Sequence, residues 1–436
     1  MTSTAANPAI STAIWPGCEP RLLHQTPEGA EDGAGYLAAG GYRELGDPEE
    51  FLAEVKRSGL LGRGGAAFPL AVKLASVRES AVRRGLEAVV IANGEEGEPA
   101  SVKDRWLLRN RPHLVLDGLR LAAATVGATR GYVYVSDPAS AATVEAALNE
   151  ISPTKAFGEL VVSVYTVAPG YVAGEETAAI RAINGGPAKP TDKPPRPYQK
   201  GVAQRPTLVS NVETLANLPY LLRQGATAFR SVGTESSPGT FLATVSGGGR
   251  PPVLYELPHG TVLADLLDVH GIPTDQVRGV LMGGYFAGVF NAEVLEVTLD
   301  HETLRAGGSG LGCGAMSVLT DDCPVAVAAS VLAYFGRENA GQCGSCFNGT
   351  AAMAAVAEAL RDQVATTEDV ARLQRWAGVL PGRGACGTLD GATNVAASFL
   401  TQFPELVTTH LAGACDTCRG GAFRAERPYA IEEVPA

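Results

Sequence analysis

Glu87-Ala88-Val89-Val90-Ile91-Ala92-Asn93-Gly94-Glu95-Glu96-Gly97-Glu98-Pro99 joins a short apolar run to a loop with three carboxylates in four residues. The run is β-branched and too short for a helix, which suits a strand buried on both faces. Two similar runs follow, Gly131–Ser136 and Leu160–Val167, and the Ala- and Leu-rich segments Leu114–Val126 and Ala139–Ile151 lie between the runs with helical character. Strand alternating with helix predicts an α/β layer with a largely parallel sheet. Ligands in such sheets bind beyond the carboxyl ends of the strands, and the acidic loop occupies that position. Crowded carboxylates are costly unless they face water, a cation or ribose hydroxyls. A solvated acidic turn is the plainer reading, but a second acidic turn, Gly174-Glu175-Glu176-Thr177, also follows an apolar run and opens a helical segment.

Upstream, Asp47–Ser58 has helical apolar spacing (Phe51, Leu52, Val55). It leads into Gly62-Arg63-Gly64-Gly65-Ala66-Ala67-Phe68, a loose match to the dinucleotide pattern. A helix rather than a strand precedes it, so this is an atypical glycine loop for a Rossmann-like unit. Arg63 and Lys73 stand close enough in sequence to meet phosphates at such a backbone cradle.

These readings divide the chain into an irregular arm (1–45), an α/β domain (46–235), a small α+β unit (236–306), a helical bundle (307–404) and a tail (405–436). In the α+β unit, Phe241–Ser246, Val253–Leu257, Val280–Met282 and Val294–Leu299 read as strands, and Val262–His270 as a helix. The bundle is expected from Pro324–Phe335, Ala351–Val364, Thr367–Val379 and Ala392–Gln402. A formal net charge of -11 argues against nucleic acid as a partner. No apolar run is long enough to span a bilayer, and no secretory signal is visible, so the chain reads as soluble and cytoplasmic.

In a reducing compartment the eight cysteines are ligands or inert thiols rather than a disulfide framework. Cys343-Gly344-Ser345-Cys346, with Cys386 downstream, has the form of an iron–sulfur loop: a tight turn pins adjacent corners and a distant segment closes the cage. Only three cysteines sit at that spacing. Cys415-Asp416-Thr417-Cys418 adds a second Cys-x-x-Cys turn in the tail. It is open to pairing with Cys343 and Cys346 around zinc, to a redox disulfide, or to no role.

Taken in order, Gly59–Pro69, Asn93–Pro99, Lys103-Asp104-Arg105, Pro112-His113-Leu114, Tyr171–Ala178, Lys193-Pro194-Pro195 and Asn211–Asn217 resemble the NADH-binding flavoprotein subunit of respiratory complex I. The related diaphorase subunits of NAD-linked hydrogenases and formate dehydrogenases share the pattern. The resemblance covers roughly residues 47 to 400. It implies an FMN- and NAD(P)H-binding α/β domain, a soluble-ligand-binding β-grasp domain near Ser246–Leu299, and an iron–sulfur cluster in the bundle. FMN would be held by Gly62, Arg63, Gly64, Gly65, Lys73, Asn93, Glu95, Gly174, Glu175, Glu176, Asn211 and Thr214. Phe68 would meet the adenine, and Glu98 and Lys193 the ribose or phosphates, with Glu96 and Tyr171 completing the site. Glu98 and Glu176 act as positioning and electrostatic groups, and no acid–base residue is needed for hydride transfer.

The chain departs from the family in four places. Ala340 stands where the family has its first cluster cysteine, leaving Cys343, Cys346 and Cys386. A three-iron cluster, a four-iron cluster with a fourth ligand from Cys313, Cys323, Cys415 or Cys418, and no cluster are the open outcomes. In the nucleotide pocket Arg196 replaces a phenylalanine, Leu74 a tryptophan and Ser210 an asparagine, which weakens stacking and admits a 2′-phosphate. The expected function is a flavin-dependent NAD(P)H dehydrogenase module. It would pass electrons to a ferredoxin-like or thioredoxin-fold iron–sulfur protein, within a larger oxidoreductase complex. A non-catalytic paralogue that has lost its cluster is the alternative.

Overall fold

The computed structural model describes residues 10–23 and 31–432; the first residues of the expected arm, its 24–30 stretch and the last four residues of the tail lie outside them. Two sheets organise the chain. Strands β1 (Ser11–Ile14), β2 (Ala88–Asn93), β3 (Ala128–Val135), β4 (Val161–Thr166) and β5 (Thr207–Asn211) come first. Strands β6 (Thr240–Gly247), β7 (Arg250–Pro258), β8 (Gly279–Met282), β9 (Gly288–Phe290) and β10 (Ala315–Leu319) follow.

The first sheet has the order β4-β3-β2-β5 and is parallel throughout. Alternate residues of β2 serve different cores. Ala88, Val90 and Ala92 pack with the helices Leu70–Arg84 and Pro112–Val126. Val89 and Ile91 pack on the opposite face with Ala179, Ile180 and Ala182 of the helix Glu176–Ile183. Burial on both faces is why this strand reads as a continuous apolar run.

The second sheet has the order β1-β7-β6-β10-β8-β9 and is mixed, with β1 parallel to β7 and β10 parallel to β6. One face, through Val280, Met282, Met316 and Val318, packs on the helix Leu263–His270. The other, through Leu281, Val289, Ala315 and Leu319, shares a core with the helices Pro324–Glu338, Gly344–Arg361, Thr367–Val379 and Thr388–Gln402. Among the described residues, no helix is long and apolar enough to cross a membrane.

Four elements differ from the sequence expectation. Ser11–Ile14, in the expected irregular arm, is an edge strand, because β7 offers it a backbone ladder that local propensity does not reveal. Ala315–Leu319, expected to lead into the bundle, is a strand between β6 and β8. The glycine-rich 307–314 stretch masks that five-residue run. Val294–Leu299 is no strand: a 3-10 turn covers Ala292–Glu296, capped by Asn291, whose side chain accepts from Glu293 N at 3.0 Å. The second bundle helix begins at Gly344 rather than Ala351, which puts Cys346 in its first turn.

The N-terminal segment is moored to the second sheet by one carboxylate. Fully buried Glu256 accepts from the backbone N–H groups of Arg21 (3.0 Å), Leu22 (3.0 Å) and Leu23 (2.8 Å), and from the Thr240 hydroxyl (2.8 Å). Replacing it strands several buried donors, each worth about 1–3 kcal/mol when unmatched. Glu256→Ala is therefore expected to lower the melting temperature and to expose the 10–23 segment to limited proteolysis. An unchanged melting curve and cleavage pattern would contradict this mooring.

Candidate functional site

A cavity of about 620 Å³ opens beyond the paired carboxyl ends of β2 and β5, where Asn93 and Asn211 lie side by side in register. That volume suits a cofactor-sized ligand. The glycine loop contributes Gly62, Gly64, Gly65 and Phe68 to the lining; the acidic loop contributes Asn93, Glu95, Glu96 and Glu98. Lys73, Tyr171, Gly174, Glu175, Glu176, Lys193, Asn211 and Thr214 complete the set expected from the sequence.

Arg63 is the exception. Its guanidinium is buried and donates to the carbonyls of Thr240 (3.0 Å) and Pro238 (3.4 Å), with Glu213 at 3.9 Å. It points away from the cavity because the buried Glu213 carboxylate demands cationic partners; its backbone N–H meets Thr214 Oγ1 at 2.8 Å. Leu74 is also no part of the nucleotide wall, being fully buried in the core beneath it. Arg196 and Ser210 do line the cavity.

Local chemistry explains the loops. Gly62 N–H donates to Phe68 O at 2.9 Å, which closes the glycine loop, and Gly65 sits at φ 107, a conformation side chains disfavour. A Cβ on Gly174 would lie 2.8 Å from the Glu95 carbonyl oxygen, so the two acidic turns touch backbone to backbone. Glu175 caps the Glu176–Ile183 helix by accepting from Thr177 N (2.7 Å) and Ala178 N (3.2 Å). Glu96 likewise accepts from Asp104 N (3.2 Å) and Arg105 N (3.1 Å) at the start of the Lys103–Asn110 helix. Lys193 pairs with Glu175 (2.7 Å) and Glu176 (3.3 Å), and Lys73 reaches Glu176 at 3.5 Å and Val209 O at 3.1 Å. Burial opposes the Glu176 charge, but Lys73 and Lys193 outweigh it and hold the carboxyl below its ordinary range.

Glu95 and Glu98 have different surroundings. Burial pushes each up to about 8, against backbone N–H bonds from Gly170 to Glu95 and from Tyr285 and Ala100 to Glu98. Two buried oxygens on this wall, Asn93 Oδ1 and Glu95 Oε2, have no hydrogen-bond partner. Unmatched buried acceptors beside a cavity are what a ligand rich in N–H and O–H donors would satisfy. The hydroxylated chain and ring N–H of FMN fit that requirement, with Lys73 available to an anionic group.

Sequence reasoning missed the far wall. Gly283, Phe286, Gly312 and Cys313 come from the loops around the second sheet, and Gly387 from the bundle. Their approach depends on the packing of separate units, which no local motif announces. Lys103 and Asp104 also line the cavity; the Lys-Asp-Arg run next to the acidic loop was their available signal.

Cys343, Cys346 and Cys386 surround a second, much smaller cavity together with Ala340, Gln342 and Pro190. Cys343 is the N-cap of the Gly344–Arg361 helix, and Ala385 N–H donates to its sulfur at 3.4 Å. No other cysteine lines this cavity among the described residues. Cys386 lines the small cavity and its neighbour Gly387 the large one, so adjacent residues of the chain border both.

The profile described as the Nuo51 FMN-binding domain matches residues 55–220, and that of the NADH-ubiquinone oxidoreductase-F iron-sulfur binding region matches residues 326–410. The second F-type NADH-quinone oxidoreductase subunit of Rhizobium meliloti is 34% identical over 86% of this chain and 93% of its own. This chain belongs to the family of NADH-quinone oxidoreductase F subunits. The NADP-reducing hydrogenase subunit HndC of Solidesulfovibrio fructosivorans is 31% identical over 88% of this chain and 81% of its own. Among solved structures, the air-oxidized NAD+-reducing [NiFe]-hydrogenase superposes with a TM-score of 0.80 at 29% identity, covering 98% of this chain and 74% of that one. The H2-reduced form gives 0.78 at 31% identity, covering 84% of this chain and 63% of that one. The mixed α/β fold with its parallel sheet, the FMN-binding domain and the iron–sulfur region thus define an F-type flavin oxidoreductase chain.

Glu98 supplies a test of the site's electrostatics. Its folded pKa of about 8 exceeds the ordinary 4.5, so its contribution to stability is complete below the lower value and is lost as pH rises through the upper one. The ligand-free protein is expected to lose melting temperature between pH 5 and 9, and Glu98→Gln to flatten part of that decline. A variant with the same pH slope as the parent would refute the assignment.

Proposed function

We propose that this F-type chain takes hydride from a reduced nicotinamide nucleotide in the large cavity and releases electrons singly through a cluster held by Cys343, Cys346 and Cys386. Bound FMN supplies the conversion between two-electron and one-electron chemistry. The observation that carries the reading is the Cys386–Gly387 pair: adjacent residues of the chain border the thiol cavity and the nucleotide cavity. Asn93, Glu95, Asn211, Thr214 and Lys73 are the groups that would hold the flavin. Phe68, 46% exposed at the cavity edge, offers a face for an adenine. Glu98 and Glu176 position and screen rather than move protons.

The three thiols fit an iron–sulfur cluster anchored at three corners, with Ala340 facing the fourth. The N-terminal helix dipole of Gly344–Arg361 supports the negative charge such thiolates carry. The loop is fixed from the nucleotide side: Lys189 Nζ donates to Ala340 O (2.8 Å), and Gln342 Nε2 to Pro190 O (2.7 Å). In this reading the second sheet forms a β-grasp-like unit, the bundle carries the cluster, and a ferredoxin-like or thioredoxin-fold iron–sulfur protein accepts the electrons within a larger assembly. The unmatched acceptors Asn93 Oδ1 and Glu95 Oε2 favour this over a scaffold that binds no flavin.

Anaerobic purification with assays of FMN, iron and sulfide tests the reading. Flavin with iron and sulfide, and an EPR signal that changes on NADH addition, is the expected result; protein lacking both flavin and iron would overturn it. Ala340→Cys is expected to raise the iron content and to abolish any three-iron signal in the oxidised protein, whereas an unaltered spectrum would remove Ala340 from the cluster's edge. Arg196, exposed at the cavity rim, is expected to favour a 2′-phosphate. Arg196→Phe should then lower kcat/KM for NADPH relative to NADH by about tenfold, the loss of one charge-assisted contact.

A further inference from the structure

Away from both cavities, Cys323, His410, Cys415 and Cys418 bring one ligand atom each to within 4.8 Å of one another, all of them buried. The four come from three elements. Cys323 is the N-cap of the Pro324–Glu338 helix, His410 lies in the last turn of Pro404–Leu411, and Cys415 and Cys418 flank the start of the short helix Asp416–Gly421. His410 is completely buried, and its Nε2 lies 3.3 Å from Cys323 Sγ and 3.8 Å from Cys418 Sγ. Its other nitrogen, Nδ1, faces the Leu360 carbonyl at 2.9 Å. A carbonyl only accepts, so Nδ1 carries the proton and Nε2 presents its lone pair to the sulfurs. Orientation of the ligating imidazole through its second nitrogen is the usual support of a metal-bound histidine.

From this geometry we infer that the four side chains form a closed, mononuclear zinc site of the Cys3His type, separate from the cluster thiols. Zn–S and Zn–N bonds of about 2.3 and 2.0 Å place tetrahedral ligand atoms roughly 3.5–3.8 Å apart. The two observed sulfur–nitrogen separations straddle that range. A cuboidal cluster sets iron and sulfide between its thiolates and needs its ligands much farther apart, so this constellation is too tight to hold one. Three thiols and an imidazole supply every position of a structural site and leave none for substrate. The pairing of Cys343/Cys346 with Cys415/Cys418 expected as one zinc option is thereby replaced. The Cys-x-x-Cys turn is also braced. Gln363, in a left-handed conformation at φ 60, accepts from Cys415 N at 3.0 Å and donates to Cys415 O at 3.4 Å.

The site fixes the tail where it matters to the nucleotide cavity. Beyond Cys418, Tyr429 donates to Asp322, the neighbour of Cys323, at 2.7 Å. Ile431 then donates its N–H to Pro99 O at 3.0 Å and accepts from Arg105 Nη2 at 2.9 Å, and Arg105 is paired with Glu96. Zinc thus clamps the base of a strap whose far end leans on the acidic loop.

Metal analysis of the full chain, purified without chelators, tests the inference independently of flavin or activity. About one zinc per chain is expected, with sulfur-rich, one-nitrogen coordination by X-ray absorption at the zinc edge. Cys415→Ser and His410→Ala are expected to lose zinc and keep iron, and Cys343→Ser to do the reverse. Should those variants fail to fold, His410→Cys is expected to retain zinc, and cobalt substitution of the parent chain to give tetrahedral thiolate spectra. Parent protein free of zinc, zinc that survives Cys415→Ser, iron in place of zinc at these residues, or a Cys415–Cys418 disulfide found by mass spectrometry would each overturn it.

Discussion

The buried carboxylate of Glu213 is the point at which three parts of the chain meet. Lys103 Nζ approaches it at 3.0 Å, Leu242 N–H of β6 at 2.9 Å and Arg63 of the glycine loop at 3.9 Å. Lys103 also pairs with Asp104 at 2.7 Å, and Asn211 joins the group by donating to Asp104 at 2.6 Å. Burial works against the Lys103 charge, but Asp104 and Glu213 outweigh it and raise its pKa. Such networks add little net stability compared with apolar packing, yet removing one member strands a buried charge. Their effect is to permit one arrangement. Here that arrangement sets the glycine loop, the carboxyl ends of β2 and β5, and the second sheet around a single cavity.

The acidic loop tolerates its own charge by other means. The crowding of Glu95, Glu96 and Glu98 is relieved in two physically different ways. Glu96 spends its charge on helix N–H groups and Arg105, as Glu175 does on the next helix with help from Lys193. Glu95 and Glu98 are instead pushed by burial toward the protonated form. The crowding is thus relieved partly by partners that hold charge and partly by burial that disfavours it.

Local pattern was enough to read the parallel sheet, and the family resemblance carried by its loops supplied most of the lining. The β2 run, the two acidic turns and the glycine loop each carry their meaning within a dozen residues, and sixteen of the seventeen expected cofactor residues line one cavity. Arg63 failed because the direction of a guanidinium depends on a buried partner, Glu213, far along the chain. Strands β1 and β10 failed for a related reason: each is short and becomes a strand only by docking on β7 or β6. His410 was invisible as a ligand, since its spacing to Cys415 and Cys418 gains meaning only when Cys323 is carried in at the head of another helix.

The two thiol groups separate by geometry rather than by motif. Both contain a Cys-x-x-Cys turn leading into a helix, so the turn alone does not tell iron–sulfur from zinc. In one, the third cysteine lies beside Gly387, which lines the nucleotide cavity; in the other, the added groups are a helix cap and a histidine held against a carbonyl. A redox centre has to stand close to its donor, whereas a structural ion has to be closed on all sides. On the proposed assignments, the incomplete thiol set stands next to the nucleotide cavity and the complete set serves mechanical closure.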